Sequence, residues 1–134
     1  MGRSSNVFPS RYTNPSSERV RTVETERVKQ QLLDALDDRG CRAILDATSD
    51  GALSANEVSE TCELPLSTTY RKLDLLTNAG LLDERTRIRR SGKHASEFHR
   101  SVEEVVVSLD ARGGISLRVI HRDRSEAPTA GGRR

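Results

Sequence analysis

A chain of 134 residues has room for one domain with a modest core and short extra elements at either end, and not for two independent domains. Hydrophobic residues at 34%, charged residues at 31%, aromatics at 3% and no Trp describe a polar surface over an aliphatic core, and exclude the aromatic platform on which RNA-recognition domains stack bases. Net charge is only +2, yet residues 23–64 carry ten acids against four bases and residues 85–100 carry six bases against Glu97 alone, so one part of the chain suits a polyanion and another is turned away from it.

Taken in chain order, residues 1–21 mix Ser, Asn, Pro and Arg without apolar periodicity and are expected to form a disordered arm. From Val23, the run VETERVKQQLLDALDD sets Val28, Leu32, Leu33 and Leu36 at helical spacing. Asp37-Asp38-Arg39-Gly40 breaks that helix before a second, from Cys41 to Ala47. A turn at Ser49-Asp50-Gly51 and a very short extended piece at Ala52-Leu53 follow. Ser54 and Glu57 then match a capping box, which starts a third helix running to about Cys62 and burying Val58 and Cys62.

The stretch LPLSTTYRKLDLLTNAGLL, Leu64 to Leu82, predicts a fourth helix over 65–79, opened by Pro65 and closed by Gly80 in the left-handed region. At 100° per residue, Leu66, Thr69, Leu73, Leu76 and Gly80 share the buried side, Ser67, Thr68 and Arg71 the opposite one, and Leu75 projects away from the core. Next, LLDERTRIRR reads as extended, SGKH as a tight turn and ASEFHR as a return strand, together a basic hairpin. A second hairpin alternates Val105, Val107 and Leu109 with Ile115, Leu117 and Val119 around Ala111-Arg112-Gly113-Gly114. Having one apolar face, it must lie against the domain, a partner subunit or both. Residues 123–134 read as a disordered tail.

This order predicts an α+β fold, a winged helix-turn-helix over residues 22–101 with an additional C-terminal β-hairpin over 102–122. In such a domain the front of the second helix of the pair enters the major groove of double-stranded DNA, and the hairpin wing follows the backbone or minor groove. Hydroxyls and helix N–H groups suit phosphate oxygens, and Arg pairs with guanine. Ser67, Thr68, Tyr70, Arg71 and Lys72 are therefore the expected recognition-helix contacts, with Ser67 and Thr68 setting position and the other three reading bases. Thr69 is expected to face the core. In the wing, Arg87, Arg89, Arg90, Lys93 and His94 are expected to neutralise phosphates.

Leu33-Asp34-Ala35-Leu36-Asp37-Asp38-Arg39-Gly40-Cys41-Arg42-Ala43-Ile44-Leu45, Leu53-Ser54-Ala55-Asn56-Glu57-Val58-Ser59 and the LPLSTTYRKLDLLTNAGLL segment together resemble ArsR-like winged-helix transcription regulators, in particular small haloarchaeal-type members. The resemblance covers roughly residues 28–100 and is tightest in the recognition segment. It implies a homodimer on a pseudo-palindromic operator, with Ser67, Thr68, Tyr70, Arg71 and Lys72 facing DNA. Metal-sensing relatives carry paired cysteines near the helix before recognition, or Asp, His and Glu ligands on a C-terminal helix; this chain has Leu53-Ser54-Ala55-Asn56-Glu57 at the first place and reads as strands at the second, so no metal or other cofactor is expected.

Cys41 and Cys62 are read as reduced, partly buried thiols of a cytoplasmic protein, and His94, His99 and His121 as scattered surface residues. No apolar run reaches the roughly 20 residues a membrane span requires. No nucleophile–base pair or phosphate-cradling glycine motif supports catalysis. The alternative is a non-enzymatic interaction module that uses the same fold without DNA and joins its partners through the C-terminal hairpin. Dimerisation is expected through the helix near residues 24–37 or through that hairpin.

Overall fold

The structure, a computed structural model, describes residues 19–88, 90–92 and 94–122. The expected arm through residue 18, the tail from residue 123, and Arg89 and Lys93 of the wing lie outside the described residues. The elements run β1 (Val20–Val23), α1 (Glu26–Asp37), α2 (Arg39–Ala47), β2 (Leu53–Ser54), α3 (Ala55–Cys62), α4 (Leu66–Asn78), β3 (Leu82–Ile88), β4 (His94–Arg100), β5 (Val102–Leu109) and β6 (Ile115–His121).

Local chemistry accounts for the helix ends. At the front of α1 the Thr25 hydroxyl accepts from the Val28 N–H at 3.2 Å. A single residue, Asp38, ends α1 and starts α2: its N–H donates to Ala35 O, and its carboxylate accepts from the Cys41 N–H at 2.8 Å. At α3 both arms of the expected capping box form, Glu57 N–H to Ser54 Oγ at 3.2 Å and Ser54 N–H to Glu57 Oε1 at 2.8 Å. Two residues end helices in the left-handed region. Gly80, at φ 82°, does so after α4, where Leu81 N–H reaches Leu76 O and Gly80 N–H reaches Thr77 O. Glu63, at φ 57°, does the same after α3 without the freedom of glycine.

The strands form two three-stranded antiparallel sheets, ordered β2-β4-β3 and β1-β6-β5. One core joins them to the helices, with Leu32, Ile44, Val58, Leu73, Leu76, Leu81, Leu117 and Val119 fully buried. The C-terminal hairpin thus packs on the domain through Leu117, Val119 and Val102.

The structure departs from the sequence reading at β1. Val20 and Arg21, expected in the arm, pair with Ile120 and Val119 of β6. The four-residue VRTV segment has no hairpin partner nearby, and its hydrogen bonds are satisfied by a strand at the other end of the domain.

Candidate nucleic-acid interface

The fourth helix divides as its side chains dictate. Thr69, Leu73 and Leu76 are buried at i, i+4 and i+7, and Thr69 turns its hydroxyl back to Pro65 O at 3.0 Å. Ser67, Tyr70 and Arg71 are exposed, Tyr70 by 52%, and Thr68 is half-buried. Leu66 corrects the helical-wheel expectation: as the first residue of α4 it is 42% exposed, and burial along that face begins at Thr69. Leu75 projects outward as expected.

The two ends of α4 are treated differently. The helices α1, α2 and α3 each have a side-chain cap, whereas α4 begins at Pro65 with no side-chain cap hydrogen bond. The first N–H groups and the positive end of the dipole are therefore left without a side-chain cap, beside the exposed Ser67 and the half-buried Thr68. At the far end, Arg21 of β1 donates from Nη2 to Ala79 O at 3.1 Å, placing a cation on the negative end of the dipole. Gly80 leaves room for it: a Cβ there would come within 2.5 Å of Arg21 Nη2.

Lys72, expected among the base readers, has a partner inside the protein. Its ammonium lies 2.6 Å from Asp38 Oδ2, with the lysine side chain 14% exposed. The stem passes over Gly40, where a Cβ would meet Lys72 Cε at 2.9 Å. The hydrogen bond from Lys72, aided by the Cys41 N–H, lowers the Asp38 carboxyl to a pKa of about 2. Lys72 therefore ties α4 to the α1–α2 corner. Arg71 has no ion pair among the described residues and projects with Ser67 on the exposed side.

The wing pairs β3 with β4 in the register Leu82↔Arg100 through Ile88↔His94. Arg90 in the connecting turn and His94 at the start of β4 are exposed; Arg89 and Lys93, also expected at the tip, fall outside the described residues. Arg87 forms an ion pair with Glu97, a carboxylate otherwise buried in the sheet. Arg100, counted in the basic run, turns inward and donates from Nε to Val102 O at 2.7 Å. His99 is a correction, since it is buried rather than a surface residue, with Nε2 3.7 Å from Asp83 Oδ2 on the paired strand. Between α4 and the wing lies a cleft lined by Ser54, Asn56, Tyr70, Asp74, Glu84 and His94, so the exposed Tyr70 and His94 share it with two acidic residues.

Both cysteines are free. Burial and the neighbouring Asp38 carboxylate push the Cys41 thiol up to about 12, and burial also raises Cys62. Both shifts disfavour the thiolate form at neutral pH.

A helix pair, α3 and α4, presents one exposed polar front, and a hairpin wing stands beside it. Residues 36–85 match the family model for a helix-turn-helix domain. The fold is a winged helix-turn-helix. Two solved structures are similar to parts of it. One is the homodimeric winged helix-turn-helix DNA-binding domain, fragment 1–100, of a possible ArsR-family transcriptional regulator from Mycobacterium bovis, 18% identical, covering 57% of this chain and 72% of that one at a TM-score of 0.46. The other is a possible transcriptional regulator from Methanosarcina mazei Go1, 14% identical, covering 60% and 73% at a TM-score of 0.43. No curated protein is significantly similar to the chain.

Proposed function

We propose that the protein is a sequence-specific regulator of transcription that binds double-stranded DNA, a small ArsR-like regulator of the haloarchaeal type, non-enzymatic, cytoplasmic and homodimeric. The observation that carries this reading is the exposed row of Ser67, Tyr70 and Arg71 at the uncapped front of α4, on a helix fixed at Lys72 and Ala79 by ties to Asp38 and Arg21. A reading surface must be both exposed and rigid, because a side chain that wanders loses its geometry for a base edge. In this reading Ser67 and Thr68 position phosphates, Tyr70 and Arg71 read bases, and Lys72 holds the reading helix in place. Arg90 and His94, with Arg89, Lys93 and the outer part of Arg87, supply the wing's grip on the backbone.

Selection of bound duplexes from a randomised library tests the reading. A two-fold-related motif should be enriched by the parent protein, and its central half-site preference should relax in Arg71→Ala. Failure to enrich any motif, with the protein folded, would favour the second reading, an interaction module. That alternative draws its support from an apolar part of the C-terminal hairpin that the domain leaves uncovered.

A further inference from the structure

Val107 and Leu109 of β5 are 50% and 71% exposed, although they lie on the core-facing side of their sheet. The register decides the facing: Val105, Val107 and Leu109 stand directly opposite Val119, Leu117 and Ile115, and Leu117 and Val119 are fully buried. The end of the hairpin therefore overhangs the domain with its apolar side uncovered.

The backbone of the same residues is available. Strand order places β5 at an edge, and among the described residues no strand pairs with its outer side. The Asp110 N–H donates to Gly114 O at 2.8 Å, which makes that pair a hydrogen-bonded one. By the alternation of an antiparallel ladder, Leu109, Val107 and Val105 then point their N–H and C=O groups away from β6, out of the free edge. Edge strands are usually guarded by Lys, Pro, charge or a bulge. The outer strand β3 has exposed Asp83, Glu84 and Arg85, while β5 has its charges, Glu103 and Glu104, and its irregularity at one end and runs regularly from Val105 to Leu109 without Lys, Pro or charge. Beside the first half of β5 lies a groove in which Leu36, Leu45, Val102 and Val105 are joined by Arg42, Asp46, Arg100, Glu103 and Glu104.

We propose that two copies of the chain join β5 to β5 in antiparallel fashion about a two-fold axis at Val106, forming one six-stranded sheet in which each copy's Val107 and Leu109 cover the other copy's groove. The geometry is self-complementary. Val105 lies opposite Val107 of the second copy, using edge groups already pointed outward, and both side chains fall on the groove side. Glu104 lies opposite Ser108. Moving the axis to Val107 would oppose Glu104 to Asp110, and moving it to Val105 would carry the pairing into the irregular segment. The interface rests on the homodimeric part of the proposed function and not on its DNA part: a monomeric parent would sink both, whereas a folded double-lysine variant that stays dimeric would sink the interface alone.

Sedimentation of the full chain should give twice the 14.9 kDa chain mass for the parent and a monomer for Val107→Lys/Leu109→Lys, with unchanged far-ultraviolet circular dichroism. A second measurement keeps the proposal exposed should that variant misfold. At Val106 the two copies would form a non-hydrogen-bonded pair, with Cα atoms about 4.5 Å apart, inside the range a disulfide spans. In a Cys62→Ser background, Val106→Cys should yield a disulfide-linked dimer under mild oxidation and Ser108→Cys should not. A monomeric parent, a folded double-lysine variant that stays dimeric, or cross-linking at 108 in preference to 106 would each overturn the proposal.

Discussion

The two sheets have the same size and the same antiparallel build, and they differ in what their outer edges offer. In the wing sheet, β3 exposes Asp83, Glu84 and Arg85, and the buried Glu97 is matched by Arg87 across the ladder. In the C-terminal sheet, β5 exposes Val107 and Leu109 beside unpaired backbone. A charged edge suits water or a polyanion and resists pairing, whereas an apolar edge with outward N–H and C=O groups suits another strand. In the proposed readings one domain thus carries a nucleic-acid side and a protein side, and Lys72 and Arg21 tie α4 to the α1–α2 corner and to β1.

The largest effect that can break this comparison is in the core beneath the C-terminal sheet. Leu117→Ala should destabilise the protein by about 2–5 kcal/mol in denaturant unfolding, the cost of a cavity at a fully buried leucine. Leu109→Ala on the same face should leave the stability of the monomer almost unchanged; a large loss there would mean that the domain itself covers the overhang. Next comes the tie between that sheet and α4. Gly80→Ala should cost more than about 1 kcal/mol, since it combines a Cβ at positive φ with displacement of the Arg21 guanidinium. Arg21→Ala should cost less and leave the left-handed turn intact.

The tie at the other end is testable by acid. Asp38 titrates at about 2 in the folded protein against an ordinary value of 3.8, so its contribution is fully present above pH 4 and is lost as pH falls towards 2. With the carboxylate partly open to solvent, that contribution is about 1 kcal/mol, and Lys72→Ala should flatten the acid limb of the stability profile. The smallest effect has the opposite sign. Glu63 occupies a left-handed position after α3, and Glu63→Gly should stabilise the protein by about 0.5–1 kcal/mol in thermal unfolding by removing the Cβ clash.

Much of this architecture was legible in the sequence where the signal is local. Ser54 and Glu57 cap a helix because they are three residues apart, and Gly80 ends one because only a few residues need agree. What escaped depends on partners far along the chain. Arg21 reads as part of a polar arm until β6 is beside it, and Lys72 reads as a base-contacting cation until Asp38, 34 residues earlier, is folded against it. Arg100 and His99 were lost for a related reason. Composition counts a charge or a polar ring without showing which side of a strand it occupies, and both turn inward. Leu66 failed in the opposite sense, since periodicity assigns a face but does not say how far along a helix the core extends.

The central claim is that α4 reads and the wing grips. Fluorescence anisotropy on one selected duplex and one unrelated duplex, across a salt series, tests it directly with the parent, Arg71→Ala and Arg90→Ala. Arg71→Ala should lose about 1–3 kcal/mol on the selected duplex and little on the unrelated one. Arg90→Ala should weaken both alike and reduce the salt slope by about 0.9 per protomer. Binding by the parent that neither change alters, or no binding to either duplex at low salt, would contradict it.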